Sequence, residues 1–194
     1  MLEVEIKAFL DGLSSEKIAA AAKELGFRKC RVLQETDIYF NGNDRNFMKT
    51  DEALRIRSCG EQGEDGVFCR EETFITYKGP KLDKNSNTRL ELETSVGDCQ
   101  TMAELLTALG YREAFTVKKV RREWKLIEED GREITLCFDR VENLGDYMEL
   151  ETLAAEDSAR EQAVKRLLEL LDLLGVSGDR MTRKSYLEML IAKK

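Results

Sequence analysis

The chain has 194 residues, 36% of them charged and 42% hydrophobic, with a net charge of −7. That length supplies one full domain with its own core. The negative balance argues against a general nucleic-acid or anionic-membrane binder, and no run is long enough to span a bilayer or to form a signal-peptide core. There is no histidine, which removes Ser-His and Cys-His nucleophile pairs, His-ligated metals and imidazole acid-base chemistry together. Five cysteines, Cys30, Cys59, Cys69, Cys99 and Cys137, are odd in number and lack CxxC spacing. They read as reduced thiols of a cytoplasmic protein with no zinc site. A metal, if bound, is then hard and held by oxygen, Mg2+ or Mn2+.

Residues 2 to 10 predict a first strand in which Glu3, Glu5 and Lys7 alternate with Leu2, Val4 and Ile6. Successive strand side chains point to opposite faces, so one face is apolar and the other ionic. Asp11-Gly12 turns the chain. Ser14 or Ser15 caps a helix running to about Leu25, with Ile18, Ala19, Ala22 and Leu25 as its stripe and Gly26 as its stop. Residues 29 to 40 alternate weakly and predict strand two, and Asn41 to Asp51 reads as a loop. Ala53 to Ser58 is strand three, with Arg55 and Arg57 opposite Leu54 and Ile56. Gly60 to Gly66 is a polar hairpin tip. Thr73 to Lys78 is strand four, ended by Gly79 and Pro80, and residues 81 to 87 form a polar loop. Thr88 to Thr94 is strand five, carrying Arg89, Glu91 and Glu93 in one phase.

Asp98 to Leu109 predicts a second helix, with Met102, Leu105, Leu106 and Leu109 as its stripe and Gly110 as its stop. Thr116 to Leu126 is strand six, with Lys119 and Arg121 in phase and Lys118 and Arg122 facing away. Ile134 to Arg140 is strand seven, carrying Asp139; Tyr147 to Thr152 is strand eight, carrying Glu149 and Glu151. Helices over Asp157 to Leu174 and roughly Thr182 to Ala192 follow. No linker rich in proline, glycine or serine divides the chain, so residues 1 to 194 read as one domain of the α+β class.

Eight strands is the number at which a sheet can close into a barrel. The ionic faces recur on five of these strands, and the amphipathic helices are available to cover the apolar faces. Either the ionic faces line a closed tunnel or they meet solvent on an open sheet; the pattern alone allows both. In a tunnel, Glu3, Glu5, Glu91, Glu93, Asp139, Glu149 and Glu151 would face Lys7, Arg55, Arg57, Lys78, Arg89, Lys119 and Arg121. An unpaired buried ion costs several kcal/mol, so such groups pair, hold water or bind something. A polyanion with a divalent metal uses both sets, because arginine forks hold phosphate oxygens while carboxylates hold the cation. Phosphoryl chemistry needs mainly positioning and charge neutralisation, which suits a site without histidine.

Glu3-x-Glu5-x-Lys7, LRIR with Arg55 and Arg57, TYKGP with Lys78, TRLELE with Arg89, KKVRREW with Lys119 and Arg121, and ITLCFDRVENLGDYMELE with Asp139, Glu149 and Glu151 occur in a fixed order. This ordered set resembles the CYTH superfamily, the triphosphate tunnel metalloenzymes. TRKSYLEML, with Lys184, Ser185 and Tyr186, is similar to its closing segment. The stretches YFN…DRNFMKTDEALRIRS and ENLGDYMELE look most like the CyaB branch, the class IV adenylyl cyclases, which convert ATP to cyclic AMP and pyrophosphate. Other members hydrolyse inorganic or thiamine triphosphate. The acidic connection from Glu61 to Glu72 is longer than the typical cyclase spacing and leaves the substrate open.

The resemblance implies a closed eight-stranded antiparallel barrel with a polar interior and helices outside. It implies metal ligands at Glu3, Glu5, Glu149 and Glu151, with Asp139 a fifth candidate and Glu91 and Glu93 orienting neighbouring cations. The implied phosphate-binding set is Lys7, Arg55, Arg57, Lys78, Arg89, Lys119, Arg121 and Lys184. In hydrolytic relatives a tyrosine at the position of Tyr39 pairs with the lysine of the KxR strand, which implies Tyr39 orienting Lys119 as a base. A non-catalytic nucleotide or polyphosphate sensor is the competing reading. The leucine stripe Leu167, Leu170, Leu171 and Leu174 either covers the barrel, joins a homodimer or docks a protein.

Overall fold

The computed structural model describes residues 2–82, 86–154 and 157–193. Its strands are β1 (Leu2–Phe9), β2 (Arg28–Asn41), β3 (Ala53–Gln62), β4 (Phe68–Lys78), β5 (Arg89–Val96), β6 (Arg112–Ile127), β7 (Glu133–Val141) and β8 (Gly145–Ala154). They close into one barrel in the order β1-β5-β4-β3-β2-β6-β7-β8, and every pair is antiparallel. The helices are α1 (Ser15–Glu24), α2 (Phe47–Thr50), α3 (Cys99–Ala108), α4 (Asp157–Leu173) and α5 (Tyr186–Ala192), with a 3-10 turn at Gly178–Arg180. The closed tunnel, rather than the open sheet, is the arrangement present.

Alternation is what makes the wall two-faced. On β1, Val4, Ile6 and Ala8 are buried outward while Glu5 and Lys7 are buried inward. The outward residues join Leu136, Phe138, Met148 and Leu150 of β7 and β8 beneath Leu167, Leu170 and Leu171 of α4 and Leu174 just after it. Each fully buried leucine contributes roughly 1.5–3 kcal/mol of transfer free energy, so this layer supplies the fold's main apolar support. The leucine stripe is therefore a barrel cover and is not free to dock a protein. A second apolar cluster puts Leu106 of α3 against Phe40, Leu54 and Ile56.

Local signals place the helix ends. Ser14 caps α1 through Lys17 N. At its other end Gly26 adopts φ 95, and Phe27 N donates to Ala22 O at 2.9 Å; a left-handed residue here satisfies the last carbonyls, and glycine takes it without strain. The expected loop from 41 to 51 contains the four-residue α2, capped by the Asn46 side chain, a turn too short for periodicity to reveal. The acidic connection after Gly60 is mostly strand: β3 and β4 extend past the expected ends, and Glu61 pairs with Cys69 after a register shift. The last helix starts at Tyr186 rather than Thr182, because Ser185 and Glu188 form a capping box that fixes the first turn.

The seam between β1 and β5 is the thinnest join. Among the described residues only Leu2↔Leu90 and Glu3↔Arg89 pair across it, supplemented by Asn87 N donating to Glu5 O at 2.9 Å. All five cysteines are free. No helix among the described residues is long and apolar enough to cross a membrane.

Candidate active site

The inward faces enclose a cavity of about 260 Å3. Strand register decides which charges meet. Across β1 and β8, Glu5 lies opposite Glu151 and Lys7 opposite Glu149. Lys7 Nζ sits 3.0 Å from Glu5 and 3.1 Å from Glu149. Like charges placed directly opposite destabilise a sheet, so the Glu5–Glu151 pair leans on Lys7, 3.0 Å from Glu5, and on Arg121, 3.4 Å from Glu151. Arg121 of β6 forks onto Asp139 at 2.7 and 2.6 Å, and its Nη2 also touches Glu149. Tyr186 Oη donates to the same Asp139 carboxylate at 2.9 Å.

The opposite wall is built the same way. Arg57 forks onto Asp37 at 2.6 and 2.8 Å and reaches Glu35 at 3.1 Å. Arg55 lies 3.4 Å from Asp37 and 3.8 Å from both Glu91 and Glu93. Lys78 bridges Glu3 at 3.1 Å and Glu91 at 2.6 Å. Lys119 pairs with Glu35, and its Nζ lies 5.9 Å from the centre of the Tyr186 ring; Lys7 stands 4.5 Å over the same ring. These forks hold the arginine planes in fixed orientations.

The charges shift one another's proton affinities. Burial alone would raise Glu149, but Lys7 and Arg121 outweigh it and hold the carboxyl well below the usual range. Burial above all, helped by the Glu149, Glu3 and Glu5 carboxylates, raises Glu151 against the pull of Arg121, so its carboxyl stays well above that range. Adjacent carboxyl groups in unlike surroundings are in this way pushed in opposite directions. Glu35 is held at about 2: burial opposes this, and Arg57, Lys119 and Arg121 override it. Burial and the Asp139 and Glu149 carboxylates push the Tyr186 hydroxyl well above its ordinary value, so it stays a donor.

A CYTH domain is matched over residues 1–186. The chain belongs to the CYTH family. It is 41% identical over 189 residues to a protein of Methanocaldococcus jannaschii provisionally named an adenylate cyclase, covering 97% of this chain and 98% of that one. Its structure is similar to that of the PH1819 protein of Pyrococcus horikoshii, with a TM-score of 0.83 and 40% identity over 99% of both chains. It also shares its fold with a Hippeastrum protein, provisionally named an adenylyl cyclase and described as having a dominant triphosphatase activity. That match has a TM-score of 0.63 at 14% identity and covers 100% of this chain and 96% of the other. CYTH enzymes are of the adenylyl cyclase or triphosphatase type and use divalent metals.

Of the residues the sequence singled out, this CYTH barrel brings Glu3, Glu5, Glu149, Glu151, Lys7, Arg55, Arg57, Lys78, Arg89, Lys119, Arg121 and Tyr39 to the cavity wall, together with Glu91 and Glu93. Asp139 stands behind the wall, with both oxygens committed to Arg121 and one also to Tyr186; it positions that arginine rather than facing the cavity. Lys184 is exposed before α5 and does not line the cavity; Tyr186, two residues on, does. The expected Tyr39–Lys119 pairing is replaced. Tyr39 is in register with Phe115 and Glu35 with Lys119, so four residues of β6, roughly 13 Å of strand, separate Tyr39 from Lys119. Lys118 and Arg122 do face away, and Arg122 reaches Ser15 of α1 at 2.7 Å. Glu35, Asp37, Glu123, Lys81 and Asn87 line the cavity without having been expected. The in-phase spacing of Glu35, Asp37 and Tyr39 was the available signal on β2.

The wall fits a divalent cation. Among the described residues it carries twelve carboxylates against nine Lys and Arg, an excess of three negative charges. One oxygen from each of Glu5, Glu149 and Glu151 lies within 4.8 Å of the other two. Asn87, which donates to Glu5 at 2.8 Å, keeps its own buried carbonyl oxygen without a hydrogen-bond partner among the described residues. An all-oxygen set of this kind suits a hard ion. Glu3 belongs with Lys78 and Glu91, outside the trio.

Proposed function

We propose that the protein is a metal-dependent enzyme that acts on a triphosphate inside the tunnel, converting ATP to cyclic AMP and pyrophosphate. One observation carries this reading. A cavity whose cations are pre-oriented by carboxylate forks carries more acidic than basic side chains on its wall, and it brings three carboxyl groups together at Glu5, Glu149 and Glu151. A triphosphate alone would be repelled by that excess, whereas a triphosphate with a divalent cation matches both halves of the wall. Glu5, Glu149 and Glu151 would hold Mg2+ or Mn2+, which when bound neutralises phosphate charge. Lys7, Arg55, Arg57, Lys78, Arg89, Lys119 and Arg121 bind and orient the phosphate oxygens. Burial strengthens those contacts and excludes competing water. In this reading Lys119 is the wall group assigned the proton of the attacking hydroxyl, while Tyr39, in register with Phe115, lies too far along β6 to orient it. The cyclase name of the Methanocaldococcus relative supports the choice of product.

A second reading, hydrolysis of inorganic or thiamine triphosphate, is favoured by the activity described for the Hippeastrum fold relative. In that case water replaces the ribose 3′-hydroxyl as the attacking group, and the same clamp serves. Incubation with ATP, inorganic triphosphate and thiamine triphosphate, each with Mg2+ or Mn2+, separates the two by product. Cyclic AMP with pyrophosphate supports the first reading; orthophosphate supports the second. Tight binding with a thermal shift but no product from any substrate identifies a polyphosphate sensor instead.

A further inference from the structure

One mouth of the cavity holds an ionic cluster that joins α2, the β4–β5 connection and α5. Asp51 ends α2 in the left-handed region, with φ 56. Its Oδ1 accepts from Lys81 Nζ at 2.6 Å and lies 4.0 Å from Arg89 Nη2, while its Oδ2 accepts from Lys81 N at 2.9 Å. Lys81 Nζ is also 3.6 Å from Glu188, which caps α5 by accepting from Ser185 N at 2.6 Å. The exposures divide by sign. The side chains of Lys81 and Arg89 are 8% and 9% exposed, those of Asp51 and Glu188 42% and 39%. The cations are thus set into the wall, and the anions sit at the rim with access to water.

A carboxylate oxygen between an ammonium and a guanidinium has the charge and acceptor character of a phosphate oxygen. A half-exposed carboxylate gives up such a position at little cost, because it regains its hydration on turning outward. We propose that Asp51 occupies the place of a substrate phosphate oxygen between Lys81 and Arg89, and that an incoming polyphosphate displaces it. Lys81 is then a further phosphate-binding residue, and Asp51 an internal competitor that keeps the pair oriented until substrate arrives. This rests on the triphosphate reading above.

The test is calorimetric titration with Mg2+ and inorganic diimidotriphosphate, whose P–N–P bridges resist hydrolysis. Asparagine tolerates left-handed backbone well, so Asp51→Asn removes the charge with little strain, and Asp51→Ser serves if circular dichroism shows the first variant unfolded. Asp51→Asn is expected to tighten binding about fivefold and Lys81→Met to weaken it about tenfold, in line with the modest strength of rim ion pairs. In the Lys81→Met background the Asp51→Asn gain should shrink to under about twofold, a coupling that a purely structural role does not produce. A wild-type protein that binds the probe, with Asp51→Asn unchanged or weaker, overturns the proposal alone. A wild-type protein that does not bind overturns it together with the functional reading.

Discussion

The two faces of β1 and β8 are equally buried and chemically opposite. Outward, Val4, Ile6, Met148 and Leu150 pack under α4; inward, Glu5, Lys7 and Glu149 line the tunnel. The outer face is non-directional and contributes stability in proportion to the area it covers. The inner face is directional, and each ion there is tolerable only because a named partner stands within reach. The same strands therefore carry stability on one side and chemistry on the other, and substitutions one residue apart should separate the two.

The sharpest separation is Glu149→Gln against its neighbour Leu150→Ala. Loss of outer-shell partners of a metal site costs about 10–100-fold, so Glu149→Gln, which removes a member of the carboxylate trio, should lower turnover by more than about a hundredfold. Its unfolding midpoint should stay close to wild type, since Lys7 retains Glu5 and Arg121 retains Asp139. Leu150→Ala should do the reverse, destabilising by about 2–5 kcal/mol in urea titration while the folded fraction keeps its specific activity. A Glu149→Gln protein that unfolds, or a Leu150→Ala protein that is stable and inactive, breaks the contrast.

Acid sharpens it from the inner side. The folded-state value of Glu35, about 2, lies below its ordinary 4.5. Its stabilisation is complete above pH 4.5 and is lost as the pH falls towards 2, where the folded state must also take up the proton. Urea midpoints measured across that window should fall with pH, and Glu35→Gln should flatten the slope. The smallest expected effect lies at the rim. Ser185→Ala removes half of the α5 capping box and should cost about 1 kcal/mol, read as a small loss in thermal midpoint.

The barrel was legible because charge alternates with apolar residues on β1, β3, β5 and β8, and that period of two survives in the sequence even where both faces are buried. It was less legible on β2, where Cys30 sits at an irregularity in the pairing with β6 and the inward Glu35 and Asp37 belong to a weaker alternation. Tyr186 was named only as part of the closing segment, because a helix end, unlike a strand, gives no two-residue rule for which side chain enters a tunnel. Asp139 was correctly placed in phase, but phase does not distinguish a group that faces the cavity from one that braces a neighbour. Lys184 was placed by its position in a motif, whereas the helix boundary at Ser185 leaves it in solvent.

The narrow seam ties assembly to competence. Residues Leu2 and Glu3 must find Leu90 and Arg89 across most of the N-terminal half of the chain, a slow kind of contact to form. Its completion brings the first carboxylate beside Lys78 and hooks Asn87 to Glu5. A barrel held open along this line would lose both of those contacts while the layer beneath α4 kept its packing.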